Sequence, residues 1–221
     1  MLLSDKRYLP MIDHTLLTQT ATPEQIKKLC KEAAKYGFAS VCVPPSYVVT
    51  AVEELKALGS GVGVCSVAGF ALGYNTTQSK VFEAKQAIEQ GAAEVDMVIN
   101  VGRLLSDDND YVLNEIKLLK EAVGGKALKV IVETCLLDEA RKITACELVT
   151  QAGADFIKTS TGFAGGGATI EDVRLMRAHV GKGVKVKAAG GIRTAELARA
   201  LAEAGADRLG MSAAIGAFAL D

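Results

Sequence analysis

The sequence predicts an α/β protein built as a single (β/α)8 barrel, and three observations predict it. Short β-rich apolar runs alternate strictly with stretches of helical spacing, as a parallel sheet covered by helices requires. A helix end followed by glycine and a new strand entry recurs along the chain. In the later strands charged residues alternate with aliphatic ones, so that one face can pack on helices while the other points into a lumen.

The first run, Met11–Ile12, leads into Asp13-His14-Thr15 and lacks the G-x-G-x-x-G turn that an open doubly wound sheet predicts there. Thr22 before Pro23 is a cap followed by a proline at the first helical position, and helical spacing then runs over Pro23–Tyr36. Gly37 ends that helix and the second strand, Phe38–Val43, begins; the third is Val62–Val67. A helix over Gln78–Gln90 ends at Gly91 before Glu94–Ile99, and a helix over Tyr111–Val123 precedes Leu128–Glu133. Gly153 precedes the sixth strand, Phe156–Lys158, and Thr169 caps the helix that opens with Ile170-Glu171-Asp172. The seventh strand is Val184–Lys187, and a helix over Thr194–Ala204 ends at Gly205 before a short eighth, Arg208–Leu209. Glycine suits the position after a helix because the chain there often turns left-handed. Gly37, Gly91, Gly153 and Gly205 lie about two βα units apart, as a TIM barrel assembled from (βα)2 quarters would space them.

A chain of 221 residues with 49% hydrophobic residues can bury one large core, and no shift in composition divides it, so one domain is expected over residues 1–221. The net charge of −1 is made of interspersed acids and bases, without the positive stripe that nucleic acid or an anionic membrane selects. Small molecules are the expected partners. Met1–Pro10 carries Asp5, Lys6 and Arg7 where an export signal would need an apolar core, and Gly61–Gly73 is too short and glycine-rich to span a bilayer. Cys30, Cys42, Cys65, Cys135 and Cys146 show no C-x-x-C spacing, which suits a reducing cytoplasm. The only histidines, His14 and His179, have no cysteine or carboxylate at ligand spacing, which disfavours a transition-metal site.

Period two sorts the strand residues. Val95, Met97 and Ile99 share one face, leaving Glu94, Asp96 and Asn100 on the other; Lys129 and Glu133 oppose Val130 and Val132; Lys158, Lys185 and Lys187 oppose Ile157, Val184 and Val186. Charges inside a barrel are costly unless paired, so their presence needs a reason. Glu94, Lys129, Glu133 and Lys185 read equally well as ion pairs that fix the fold or as functional groups. Asp96, Lys158 and Lys187 lie toward the C-terminal ends of their strands, where barrels place active sites, and are the candidate catalytic residues. Thr159–Gly167 follows Lys158, Gly190-Gly191 with Arg193 follows Lys187, and Gly210-Met211-Ser212 follows the eighth strand. Glycine turns there suit a phosphate clamp, although turns that merely close a barrel look the same.

The blocks Ile12-Asp13-His14-Thr15-Leu16-Leu17, Val41-Cys42-Val43-Pro44, Glu94–Asn100, Lys129–Thr134, Phe156–Phe163 and Val186–Arg193 resemble the successive strand signatures of the deoxyribose-phosphate aldolase family, in that family's order. The resemblance spans Ile12 to Ser212 and is most specific in the two lysine-centred blocks. It implies a class I aldolase that reversibly cleaves 2-deoxy-D-ribose 5-phosphate to acetaldehyde and D-glyceraldehyde 3-phosphate without metal or organic cofactor. Lys158 would form the Schiff base, Asp96 would donate and accept protons, and Lys187 would tune both. Phosphate would lie against Gly162, Gly190, Gly191, Arg193 and Ser212, with Asp13, Thr15, Cys42 and Lys129 lining the pocket. A nucleophilic lysine has to shed its proton, and Lys187 on the adjacent strand is the cation that favours this.

Three departures stand out. Ala213 follows Ser212 where many members have a second serine, the chain ends at Leu220-Asp221 without a tyrosine tail, and Ala164-Gly165-Gly166-Gly167 is unusually glycine-rich. Two other readings stay open: another Schiff-base phospho-sugar aldolase or transaldolase-like barrel, and a phosphate-metabolite-binding barrel without turnover. A homodimer is the expected assembly, with no interface patch readable.

Overall fold

Eight parallel strands pair in chain order: β1 (Ile12–Thr15), β2 (Ser40–Cys42), β3 (Gly63–Ala68), β4 (Glu94–Val98), β5 (Ala127–Ile131), β6 (Phe156–Lys158), β7 (Lys185–Ala189) and β8 (Arg208–Met211). β8 pairs back to β1, so the sheet closes into the (β/α)8 barrel that the alternation predicts. The computed structural model describes residues 3–220; Met1, Leu2 and Asp221, at the bounds of the expected domain, lie outside the described residues.

Helices cover the outside: α1 (Pro23–Tyr36), α2 (Val48–Ala57), α3 (Thr77–Glu89), α4 (Val101–Leu105), α5 (Asn109–Val123), α6 (Glu139–Gln151), α7 (Ile170–His179), α8 (Ala195–Glu203) and α9 (Ala214–Ala217). α1 shows how local sequence sets an element. Thr22 accepts from the Gln25 backbone, the Gln25 side chain accepts from the Thr22 backbone at 2.9 Å, and Pro23 occupies the first turn. Ile26, Leu29, Cys30 and Ala33 form its buried face, and Gly37 ends it with φ 67°. Gly91, Gly153 and Gly205 repeat that positive φ, so the recurrent glycines are helix stops.

The apolar core lies between sheet and helices, where Val41, Val64, Val95, Met97, Val130, Ile157, Val186 and Leu209 are buried against the helical layer. Burying each such side chain contributes about 1.5–3 kcal/mol. The lumen is different: Asp13, Ser40, Asp96, Lys129 and Lys187 are fully buried there. Gly210 is required by closeness, since a Cβ there would lie 2.9 Å from Ala189 Cβ and 3.3 Å from Lys187 Cε.

Four sequence expectations need correction. Asn100 has left the barrel face; its side chain caps α4 by accepting from the Arg103 backbone at 3.2 Å. Glu133 lies beyond β5 in a left-handed conformation, φ 56°. Lys185 is exposed at the open start of β7, its Nζ 5.6 Å from the Phe156 ring centre. His14 does have a carboxylate beside it, because β1 turns it outward onto α1, where Nε2 is 2.8 Å from Glu32 Oε2.

Candidate active site

The inward side chains of neighbouring strands meet at nearly the same height. Register pairs Asp96 on β4 with Lys129 on β5, and Lys158 on β6 with Lys187 on β7. Asp96 is the centre of the cluster: Oδ1 accepts from Lys129 at 2.8 Å, and Oδ2 accepts from Lys158 at 2.6 Å and from Lys187 at 2.8 Å. Lys187 also lies 2.5 Å from Asp13 Oδ2. Lys129 pairs with Glu94 at 2.6 Å, and Arg208 joins Asp13 to Glu94 at 2.5 and 3.2 Å. Four cations therefore face three carboxylates, leaving one positive charge in excess.

Electrostatics follow from this packing. Burial opposes the charge of Asp96, but Lys129, Lys158 and Lys187 overcome it and hold the carboxyl well below the usual carboxylate range. Asp13 is treated likewise: burial is outweighed by Lys187, Lys129 and Arg208, and its carboxyl is held low. Burial also opposes the charge of Lys187, yet Asp13 and Asp96 hold the ammonium above its ordinary range, and Lys129 is held high chiefly by Asp96. The Cys65 thiol, buried beside Asp96, is pushed well up.

Above this layer a cleft of about 210 Å³ opens at the C-terminal ends of β1, β6, β7 and β8. Thr15, Lys158, Gly162, Gly190, Gly191, Arg193 and Ser212 line it, so the structure brings the expected nucleophile and the expected phosphate contacts to one opening. Gly162, Gly190 and Gly191 all have positive φ, and among the described residues the N–H groups of Gly162 and Gly191 donate to no protein acceptor. Arg193 is exposed and makes no ion pair among the described residues. Asp96 and Lys187 lie beneath the cleft floor. Asp13, Cys42 and Lys129, expected on the pocket wall, also lie in that lower layer with no exposed surface, because period two aims them across the lumen and not up toward its mouth.

Sequence reading missed Cys65 and Arg208. The Cys65 thiol donates to Asp96 Oδ1 at 3.1 Å and accepts from Lys129 at 3.2 Å. A lone cysteine in an apolar run carries no charge signal. Arg208 does carry one, and its alternation with the buried Leu209 on β8 is the same pattern that picked out Lys187. Cys42 and Cys65 sulfurs and an Asp96 oxygen lie within 4.8 Å of one another, a potential ligand set. The three ammonium groups on Asp96 already supply the positive charge there, so a metal ion would have to break those pairs.

The profile of the DeoC/LacD family aldolases matches residues 8–220. The chain is 56% identical over 207 residues to deoxyribose-phosphate aldolase of Clostridioides difficile (strain 630), covering 94% of this chain and 93% of that protein. It is 57% identical over 213 residues to the deoxyribose-phosphate aldolase of Clostridium kluyveri, covering 96% and 97%. Among solved structures, the tetrameric deoxyribose phosphate aldolase from Aeropyrum pernix superposes with a TM-score of 0.89 at 34% identity, covering 99% of this chain and 92% of that one. With eight strands closed around a lysine-rich lumen and kinship over nearly its whole length, the chain belongs to the DeoC/LacD family of aldolases.

Proposed function

We propose that the chain acts as one catalytic domain, a deoxyribose-phosphate aldolase that reversibly cleaves 2-deoxy-D-ribose 5-phosphate into D-glyceraldehyde 3-phosphate and acetaldehyde through a Schiff base on Lys158. One observation carries the choice of nucleophile: of the three lumen lysines, Lys158 alone lines the cleft, while Lys129 and Lys187 are sealed beneath it. The free amine attacks the aldehyde carbon of the open-chain sugar, and loss of water from the carbinolamine gives an iminium. When the bond between C2 and C3 breaks, its electron pair enters the iminium to form an enamine, and the C3 hydroxyl gives up its proton as glyceraldehyde 3-phosphate leaves. Protonation of the enamine at C2 and addition of water release acetaldehyde and restore the amine.

Asp96 is 2.6 Å from the Lys158 nitrogen and keeps its negative charge, so it stabilises the iminium where it stabilised the ammonium, and it is placed to pass protons to and from the reacting nitrogen. Lys187 stays protonated against Asp13 and Asp96 and shares the Asp96 oxygen that Lys158 meets, so it holds that carboxylate in place beneath the nucleophile. The unpartnered N–H groups of Gly162 and Gly191 in turns closed by Gly190, with Arg193 and the Ser212 hydroxyl, make the cleft a suitable seat for the phosphate.

Borohydride reduction in the presence of acetaldehyde, followed by peptide mass mapping, tests this reading. Label is expected on Lys158 alone, and Lys158→Ala should lose both label and turnover. Label on Lys187 would reverse the roles. No helix among the described residues is long and apolar enough to cross a membrane. We also propose a homo-oligomer with a dimer as its smallest form, in a cytoplasmic setting; light scattering of the purified chain measures the assembly directly.

A further inference from the structure

Among the described residues, Glu133 is the one buried carboxylate beside the cleft that the reaction above does not use. It is 2% exposed, has no cation partner among the described residues, and stands in the left-handed region at φ 56°, where glutamate is uncommon. Its side-chain hydrogen bonds all run to one residue. The Thr161 backbone N–H donates to both carboxylate oxygens at 3.2 and 3.3 Å, and the Thr161 hydroxyl donates to Oε2 at 2.5 Å. The same hydroxyl accepts from the Phe163 N–H at 3.0 Å, and the Phe163 ring meets Phe70 edge-on at 5.3 Å. Thr161, Gly162 and Phe163 are consecutive cleft residues. Both donors of Thr161 are thus taken, and the Gly162 N–H that follows is left free near the free N–H of Gly191.

We propose that Glu133 is a positioning residue for phosphate recognition: its buried carboxylate clamps Thr161 so that the Gly162 N–H faces the anion together with the second glycine turn. The proposal rests on the aldolase reading. A charged acceptor gives short, directional bonds to Thr161, and a strained backbone retained at a buried site is the kind of cost that function sustains. A brace that only stabilised the fold would not distinguish phosphorylated from unphosphorylated substrate.

The test compares Glu133→Gln with the unaltered enzyme on deoxyribose 5-phosphate and on unphosphorylated deoxyribose. Gln keeps the volume but replaces one acceptor oxygen with a donor amide that the Thr161 N–H repels. KM for the phosphorylated sugar should rise about tenfold while kcat/KM for deoxyribose moves less than about twofold. Inhibition of deoxyribose cleavage by inorganic phosphate should weaken in parallel, and borohydride trapping of acetaldehyde on Lys158 should persist. Thr161→Val provides a second route to the same loss should Glu133→Gln fold poorly, Thr161→Ser should behave as the unaltered enzyme, and the double variant should be no worse than either single one. Equal damage to both sugars, or an unchanged KM and phosphate inhibition, would overturn the proposal. If the unaltered enzyme neither cleaves deoxyribose 5-phosphate nor traps acetaldehyde, the aldolase reading itself fails, which is a separate result.

Discussion

Asp96 accepts from three ammonium groups, so removing its charge and removing one of those ammonium groups are opposite chemical changes with separable signatures. Asp96→Asn keeps the shape but withdraws the proton acceptor: acetaldehyde should still be trapped on Lys158, while turnover falls by about 10²–10⁴-fold. Lys187→Met removes the excess positive charge, so less free amine should stand ready at neutral pH. The acid limb of kcat/KM should then move upward, with the rate at pH 7 falling roughly tenfold per unit of displacement and recovering in alkali. An unmoved limb would mean that burial alone prepares Lys158. At the cleft rim, Ser212→Glu places an anion where phosphate is proposed to sit, and KM for the phosphorylated sugar should rise about tenfold or more while unphosphorylated deoxyribose is little affected. Equal effects on both would move the phosphate elsewhere. Lys158, Lys187 and Asp96 were legible as residues because a charge at period two in an aliphatic strand has few explanations. Cys65 was not, since nothing in its neighbours announces a thiol aimed at a carboxylate.

Strands and helices differ in how much of their chemistry can be read. Lys80 on α3 and Glu115 on α5 look in sequence like solvent-facing charges of amphipathic helices, yet both are fully buried and 2.7 Å apart. Lys80 also donates to the Val98 carbonyl at 2.8 Å, and Glu115 accepts from the Asn100 N–H at 3.0 Å, which fixes the end of β4 just past Asp96. That is why Asn100 leaves the barrel face, a turn settled by a contact fifteen residues downstream and not by local periodicity. Here burial wins: it lowers Lys80 and raises Glu115, the reverse of the lumen, where several opposite charges act together. Lys80→Met should therefore cost about 3–5 kcal/mol in urea unfolding by stranding Glu115, whereas the double variant Lys80→Met/Glu115→Leu should recover most of that loss. Additive losses would show that the two residues act independently.

At the scale of the whole molecule, the alternation of strands and helices and the four glycine stops made the closed barrel legible, because both signals are local and repeat. The heights at which strands meet are not local, and they decide that Asp13, Cys42 and Lys129 lie under the cleft while Thr15 lines it. The lumen ladder those heights create joins side chains from β1, β4, β5, β6, β7 and β8, and unfolding disperses all of them at once. Its titration should govern how stability depends on pH. Asp96 and Asp13 are held low in the folded chain, so the stability they contribute is complete above the unfolded carboxylate value of about 3.9 and is lost as pH falls toward their folded values. Lys129 and Lys187 are held high, so their contribution is complete below about 10.4 and is lost as pH rises beyond it. Glu115 and Lys80 are shifted the other way and so soften both limbs. Urea midpoints should accordingly form a plateau between about pH 5 and about pH 9 and fall outside it. Asp96→Asn should lower the plateau, because three ammonium groups lose their shared partner, and should also flatten the acid limb, because a carboxylate that titrates lower in the folded chain than in the unfolded one is gone. A midpoint that slid steadily across the plateau would place control of stability in a group that titrates near neutrality, and the lumen ladder would have to be given up as the source.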